Sequence, residues 1–173
     1  MHLKLVALGA ALTLASALAA APASAQTAAA ARGGAIPASG LTAAEIADWL
    51  RGDGFSAVVK PDPTTAGDQI ISTSVDGVDV DIYVYDCSGD GDGRRCTSMQ
   101  YAAGWAPSGS YSADKTNEWN RTHRYIKAYL TRGNSLYGEY DLDLSPGGTF
   151  EMLNDTLVNW RSTARDFKTY FGV

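Results

Sequence analysis

The strongest constraint on the fold is a stretch in the middle of the chain where apolar and polar residues alternate on both sides of Asp76-Gly77. An Asp-Gly pair between two alternating runs predicts a two-residue hairpin turn. Closing this turn brings the valines and isoleucines of both strands to one face, while Asp79 and Asp81 take the other face together with serines. We therefore expect an antiparallel sheet with a buried inner face and a solvated outer face.

The same register continues into the stretch DCSGDGDGRRC, which contains both cysteines of the chain. If Cys87 lies opposite Cys96, the apolar residues of the next strand fall on the inner face and the two cysteines fall on the outer face. Facing residues of an antiparallel ladder are close enough for a disulfide bond. The stretch is predicted to be a hairpin tip closed by a disulfide between these cysteines.

Two other interpretations of the tip are weaker. The alternation of Asp86, Ser88 and Asp90 suggests a calcium loop. An EF-hand would, however, need an acidic twelfth residue where the chain has Thr97, and it would need flanking helices. A redox site would need closely spaced cysteines at the start of a helix, whereas eight residues lie between these two.

A second hairpin is predicted around residues 132–134, where the sequence Arg-Gly-Asn separates two further alternating runs. A three-residue loop at this point sets Tyr129 opposite Tyr137 on the outer face. Tyr125 then lies opposite Asp141 on the same face. Both runs agree on one register, so this hairpin extends the sheet.

Three helices are predicted from their capping residues. Thr42 and Glu45 form a capping box ahead of the first helix. Ser112 can cap a short middle helix, and Thr149 can cap a long last helix whose apolar residues recur at steps of three and four. One side of the last helix must therefore lie on the sheet. We expect an α+β domain with a mainly antiparallel sheet and three helices packed on it.

The N-terminal residues have the features of a secretory signal peptide. A lysine near the start precedes an Ala/Leu-rich run, and Ala23-Ser24-Ala25 matches a small-x-small cleavage site. We assign residues 1–25 to the signal peptide, 26–40 to a flexible Ala/Gly/Pro-rich leader and 41–173 to one domain. A membrane anchor is the alternative, but the apolar run is rich in alanine and ends in a cleavage-type site. We therefore expect an exported protein, periplasmic or secreted and free of the membrane, in a compartment that keeps disulfides oxidised.

Charge and residue types argue against several functions. The formal net charge is -5, whereas a nucleic-acid partner requires a basic surface. Apart from His2 in the signal peptide, the single histidine is His123, and no nucleophile elbow, phosphate loop or zinc motif accompanies it. Alternating carboxylates on strands fit a solvated surface better than a glycosidase site, which also requires a cleft. We expect no catalytic residues, no cofactor and no metal.

Four segments carry a resemblance to a known family: LTAAEIADWL, YVYDC, NEWNRTHRYIKAYL and YDLDLSPGGTFEMLNDTLVNW. In order and spacing they resemble the bacterial YbjN-domain family, described as sensory transduction regulators. The resemblance implies a fold similar to the type III secretion chaperones, whose known members bind protein segments and do not turn over substrates. It supplies no catalytic residue set. The signal peptide and the cysteine-flanked tip depart from simpler members, so a cytoplasmic chaperone role does not transfer.

The expected function is protein or peptide binding by an exported, non-enzymatic, chaperone-like or regulatory module, and a homodimer is compatible with it. A small-ligand or calcium-binding module is the alternative, followed by a carboxylate-dependent hydrolase. Tyrosines are enriched at binding interfaces, although they also fit strands and stabilise cross-strand pairs. The candidate binding face consists of Tyr83, Tyr85, Tyr125, Tyr129, Tyr137, Asp79, Asp81 and Asp141.

Cleavage of the signal peptide is directly testable. Intact-mass measurement of protein from the exported fraction should give a chain that begins at Gln26, because the small-x-small site ends at Ala25. A full-length chain retained in the membrane would show that the segment is an anchor.

Overall fold

The computed structural model describes residues 34–173, so the predicted signal peptide lies outside the described residues. The strands are β1 (Ala35–Ile36), β2 (Ala57–Pro61), β3 (Gln69–Val75), β4 (Val78–Ser88), β5 (Arg95–Trp105), β6 (Lys127–Leu130), β7 (Leu136–Asp143) and β8 (Gly148–Thr149). The helices are α1 (Ala43–Gly52), α2 (Ala113–Thr122) and α3 (Phe150–Phe171), with a short 3-10 helix at Gly91–Gly93. None of the helices in the described range is long and apolar enough to cross a membrane.

Strands β2 to β7 form one antiparallel sheet, in the order β2-β3-β4-β5-β7-β6. The three helices lie together on its inner face. The indole of Trp49 in α1 donates to Asn154 in α3 at 2.7 Å, and Trp119 of α2 packs edge-on against Phe167 of α3, with ring centroids 5.0 Å apart. The protein is a two-layer α+β sandwich, which confirms the fold class expected from the sequence.

The registers expected from the alternating runs are confirmed. The observed pairs are Val75 with Val78, Cys87 with Cys96, and Leu130 with Leu136. Side chains on a strand alternate with a period of two, so one correct pair in each hairpin fixes the face of its neighbours wherever the alternation is unbroken. The three predicted caps are also present, with Thr42, Ser112 and Thr149 each accepting a backbone N–H at the start of its helix.

Helix α3 covers the middle of the inner face through its apolar stripe. The buried stripe consists of Leu153, Leu157, Trp160, Ala164, Phe167 and Phe171. Trp160 stacks on Tyr101 of β5 at 5.4 Å, and a Cβ on Gly138 of β7 would come within 3.2 Å of the Phe167 ring. Each large apolar side chain buried in this way contributes about 1.5–3 kcal/mol, so this stripe is a main source of the stability of the fold.

The packed structure begins earlier than the sequence indicates. Residues 34–40 were expected to belong to a flexible leader, but β1 pairs with β8 and Ile36 is buried. Two glycines permit this close approach. A Cβ on Gly147 would lie 2.9 Å from the Ile36 carbonyl oxygen, and a Cβ on Gly40 would lie 1.9 Å from that of Cys96. The described end of the leader is therefore part of the domain.

Helix α2 closes the edge of the sheet at β6. The side-chain amide of Asn120 donates to the Ala128 carbonyl at 2.9 Å and accepts the Ala128 N–H at 2.8 Å. The Trp119 indole donates to the Ile126 carbonyl at 2.7 Å. Side chains thus take the place of a neighbouring strand, which protects the edge from pairing with another chain.

Replacing Asn120 with alanine should expose this edge. The variant loses two hydrogen bonds to Ala128, each with a net value of about 1 kcal/mol, while alanine itself favours the helix slightly. We expect the free energy of unfolding of Asn120→Ala to be about 1–2 kcal/mol lower than that of Asn117→Ala. Asn117 is an exposed residue of the same helix, so both variants share the same change in helix propensity. Equal urea midpoints for the two variants would contradict the role of Asn120.

Candidate functional site

The outer face of the six-stranded sheet carries most of the residues that the sequence assigns to a binding face. The residues found there are Tyr83, Tyr85, Tyr129, Tyr137, Asp79, Asp81 and Asp141. They occupy the alternate positions of their strands that point away from the helices. Three strands, β4, β6 and β7, contribute these residues, so side chains that are distant in sequence share one face of the sheet.

Tyr125 is the exception, and its predicted position on the outer face is wrong. Its ring lies 5.6 Å from that of Tyr140, which in turn stacks against the buried Tyr101 of the inner face at 6.1 Å. The cause is the backbone. Tyr125 has a left-handed φ of 71°, and β6 begins only at Lys127, so the alternation of the strand does not extend back to it.

The remaining tyrosines form two stacked pairs on the outer face. The rings of Tyr129 and Tyr137 lie 5.5 Å apart across neighbouring strands, and those of Tyr83 and Tyr85 lie 6.5 Å apart along one strand. Burial raises the pKa of Tyr83, and the negative charge of Asp81 raises it further. The Tyr83 phenol is therefore a neutral hydrogen-bonding group at physiological pH.

Glu139 organises one end of the outer face. Its carboxylate accepts a hydrogen bond from the Tyr129 hydroxyl at 2.7 Å and forms an ion pair with Lys127 at 3.0 Å. The Gln100 amide reaches Glu139 at 3.4 Å and donates to Asp141 at 2.6 Å. Burial raises the pKa of Tyr129, and its hydrogen bond to Glu139 adds to the shift. This network fixes the positions of the β6 and β7 side chains.

A hollow of about 640 Å³ lies next to this network on the outer face. Its shape follows from small side chains on the two strands that flank β4. Ser72 and Ser74 belong to β3, and Ala102 and Gly104 belong to β5. The ring of Tyr137 lies so close to Gly104 that a Cβ there would be 2.9 Å from its Cζ atom. Any larger residue at position 104 would displace this ring.

Two carboxylates stand inside the hollow. Asp79 is opposite Ser74, and Asp81 is opposite Ser72 on one side and Ala102 on the other. The Ser72 hydroxyl donates to Asp81 at 2.5 Å. The Asp79 side chain is exposed and, among the described residues, has no hydrogen bond or ion pair.

The predicted disulfide between Cys87 and Cys96 is present, but the predicted face for the two cysteines is wrong. Cys96 is buried with the inner-face core, and Cys87 is half-buried against it. Asp86 has a left-handed φ of 53°, which interrupts the alternation of β4 just before Cys87. The backbone of Leu41 also pairs with Cys96 in both directions, at 3.0 and 2.8 Å. The disulfide therefore joins the tip to the start of the domain.

Two polar side-chain contacts join the tip to the loop before β3. Asp68 forms an ion pair with Arg94, and Asp92 accepts a hydrogen bond from Gln69 at 3.0 Å. These contacts dock the tip against the loop before β3. Within residues 34–173, no group of three or more histidine, cysteine or acidic side chains is arranged to hold a metal ion. The ion pair, the hydrogen bond and the disulfide connect the tip to the rest of the domain.

Sequence reasoning missed the residues that shape the hollow. Ala102 and Gly104 occupy outward positions of β5, and their small size becomes informative once the register is known. The signal is a pair of small outer-face residues on a central strand, where larger side chains would usually cover the neighbouring strands. Asn120 was also missed, because nothing in its sequence context shows that it bonds to a strand edge.

The chain matches the model of a bacterial family, YbjN, described as "Putative bacterial sensory transduction regulator". The match covers residues 42–172, nearly the whole of the described chain. Neither the curated proteins nor the solved structures contain a significant match. The family description names a regulator and no chemical reaction.

Breaking the disulfide should destabilise the fold. Because Cys87 and Cys96 are nine positions apart, their bond closes a short loop of the unfolded chain and should contribute about 2–3 kcal/mol. We expect reduction to lower the thermal midpoint measured by circular dichroism while leaving the secondary structure largely intact. The Cys87→Ser/Cys96→Ser variant should match the reduced protein and show no response to reductant. Free thiols in folded, oxidised protein would contradict this role.

Proposed function

Since the chain belongs to the YbjN family, we propose that it is an exported, non-enzymatic regulatory module that binds a protein or peptide on the outer face of its sheet. The observation that carries the proposal is the contrast between the two faces. Three helices cover the inner face, whereas the outer face presents stacked tyrosines and a hollow. Tyrosine provides contact area and a hydroxyl group at low entropic cost, which suits a recognition surface.

The sheet edges support binding on the face in preference to strand addition. At β6 the edge is closed by Asn120 and Trp119. At β2 the Arg51 guanidinium donates to the Ala57 carbonyl at 2.7 Å, and Pro61 has no N–H to offer to a new strand. A partner, or a second copy in a homodimer, would therefore meet side chains of the outer face and not an open backbone edge.

The outer-face carboxylates support binding more than catalysis. Glu139 is held by Lys127, Tyr129 and Gln100, so its oxygens serve a hydrogen-bond network. Carboxylate-dependent hydrolysis needs one carboxyl group kept protonated by an apolar setting. Here the neighbours of Glu139 are a cation and hydrogen-bond donors, and this is not the apolar setting that such chemistry needs.

Export is supported by the disulfide and the signal-like N-terminus. Both cysteines of the chain are used in one bond, and such bonds persist in oxidising compartments. The signal peptide itself lies outside the described residues, so the N-terminal mass of the exported protein is the direct test.

Replacing three outer-face tyrosines should abolish partner binding without unfolding the protein. We expect the Tyr83→Ser/Tyr129→Ser/Tyr137→Ser variant to lose a protein that the wild-type chain captures from the exported fraction. Val158→Ser is the matched control, because Val158 is 60% exposed on α3, in the helix layer. Far-UV circular dichroism checks the fold of each variant. Capture that survives in the triple variant would refute the outer face as the binding site.

A further inference from the structure

The hollow on the outer face has the charge and shape of a site for basic side chains. Its two carboxylates belong to Asp79 and Asp81 of β4, which lie between serines of β3 and the small residues of β5. Larger side chains at the neighbouring positions would cover these carboxylates. The serine, alanine and glycine residues found there leave them accessible. Asp79 is exposed and, among the described residues, has no cation or hydrogen-bond donor of its own.

Aromatic rings border the same hollow. Tyr83 lies on β4, two residues after Asp81, and Tyr137 lies on β7 with its ring against Gly104. The face of an aromatic ring attracts a cation, and the attraction adds to that of a nearby carboxylate. A guanidinium or ammonium group in the hollow could therefore contact a carboxylate and a ring together.

The charge balance of the hollow is negative. Among the described residues, Lys60 is the only lysine or arginine that lines the hollow, against the two aspartates. Farther along the outer face, Lys127 is shared between Glu139 at 3.0 Å and Asp141 at 3.7 Å. The negative electrostatic potential of the hollow and its surroundings therefore favours a cationic ligand over an anionic one.

The spacing of the two carboxylates indicates an extended ligand. Asp79 and Asp81 are two residues apart on one strand, which places their Cα atoms about 7 Å apart. In an extended peptide, side chains at alternate positions have the same spacing of about 7 Å. Basic residues at every second position would therefore match the two carboxylates in register.

We propose that the hollow binds an extended, basic segment of a partner protein, with arginine or lysine side chains at alternate positions directed at Asp79 and Asp81. This assignment rests on the proposed function of the outer face and specifies the chemistry of its partner. Tyr83 and Tyr137 contact the cationic groups or the aliphatic parts of their side chains. Serines and Ala102 provide the space in which those side chains fit.

The direct test uses a defined peptide and the mature, oxidised protein. The probe is a capped decapeptide of alternating arginine and serine, and the matched peptides carry glutamine or glutamate in place of arginine. Calorimetric titration at low salt should show saturable binding of the arginine peptide only. Raising the salt concentration from about 50 mM to about 500 mM should weaken this binding, because ions screen exposed charges. No saturable binding at peptide concentrations up to about 1 mM would overturn the proposal.

Two protein variants separate a specific site from general acidity. Asp79→Asn/Asp81→Asn should weaken binding of the arginine peptide by a factor of ten or more. Asp155→Asn/Asp166→Asn removes the same net charge from exposed positions of α3 and should bind like the wild type. Equal weakening in both variants would mean that only net charge matters, and this result would refute the site.

A third variant tests the shape of the hollow. Ala102→Leu leaves every charge in place but puts a larger side chain beside Asp81, so it should also weaken peptide binding at least tenfold. Amide signals of Ala102 and Gly104 should shift in nuclear magnetic resonance spectra on peptide addition to the wild type. Unchanged binding by Ala102→Leu, or shifts confined to other regions, would place the peptide elsewhere.

Failure of this inference can be distinguished from failure of the proposed function. If capture of the natural partner requires the three tyrosines but is unaffected by Asp79→Asn/Asp81→Asn, the outer face binds a partner that is not basic, and this inference alone is overturned. If capture survives loss of the tyrosines, the proposed function itself fails. Concentration-dependent dimerisation that disappears in Asp79→Asn/Asp81→Asn would identify a second copy as the occupant and would also overturn the inference.

Discussion

The packing of α3 on the inner face of the sheet is the interaction on which the rest of the structure depends. In this packing, Trp160 stacks on Tyr101 and the Phe167 ring lies over Gly138. These contacts bury one face of the sheet in the core. A strand has only two faces, so this commitment also decides which side chains are left for a partner. The same alternation that buries valines and isoleucines therefore presents aspartates and tyrosines in fixed rows. Alternate positions of the same strands therefore serve the core and the proposed recognition face.

Two glycines on neighbouring strands serve the two faces in a similar way. On the inner face, Gly138 lets the Phe167 ring approach β7, and on the outer face Gly104 lets the Tyr137 ring lie against β5. Glycine weakens a strand in general, so each position carries a cost that the adjacent ring offsets by covering the exposed backbone. The inner contact holds α3 in place, and the outer contact forms one border of the hollow beside Ala102.

The sequence was most informative where local rules and burial agree. The Asp76-Gly77 turn and the alternation around it predicted the correct register, because a slip by one residue would move every apolar side chain into water. Prediction failed at Asp86 and Tyr125, which adopt left-handed backbone conformations without being glycine. At both positions the left-handed backbone breaks the alternation of the strand and changes the face that a side chain takes. No local sequence pattern predicts this conformation. The hollow was missed for a different reason: it depends on the sizes of residues from strands that are distant in sequence.

Closed edges and an uncovered face together constrain how this fold can recognise a partner. An added strand would bind through backbone hydrogen bonds, which carry little sequence information. Asn120 covers the edge at β6, and Arg51 and Pro61 occupy part of the edge at β2, so the proposed recognition uses the side chains of the outer face. Side-chain recognition through carboxylates and rings responds to the charge of the partner and to salt. Such a surface suits a regulator, because small changes in the charge of a partner segment can alter the strength of binding.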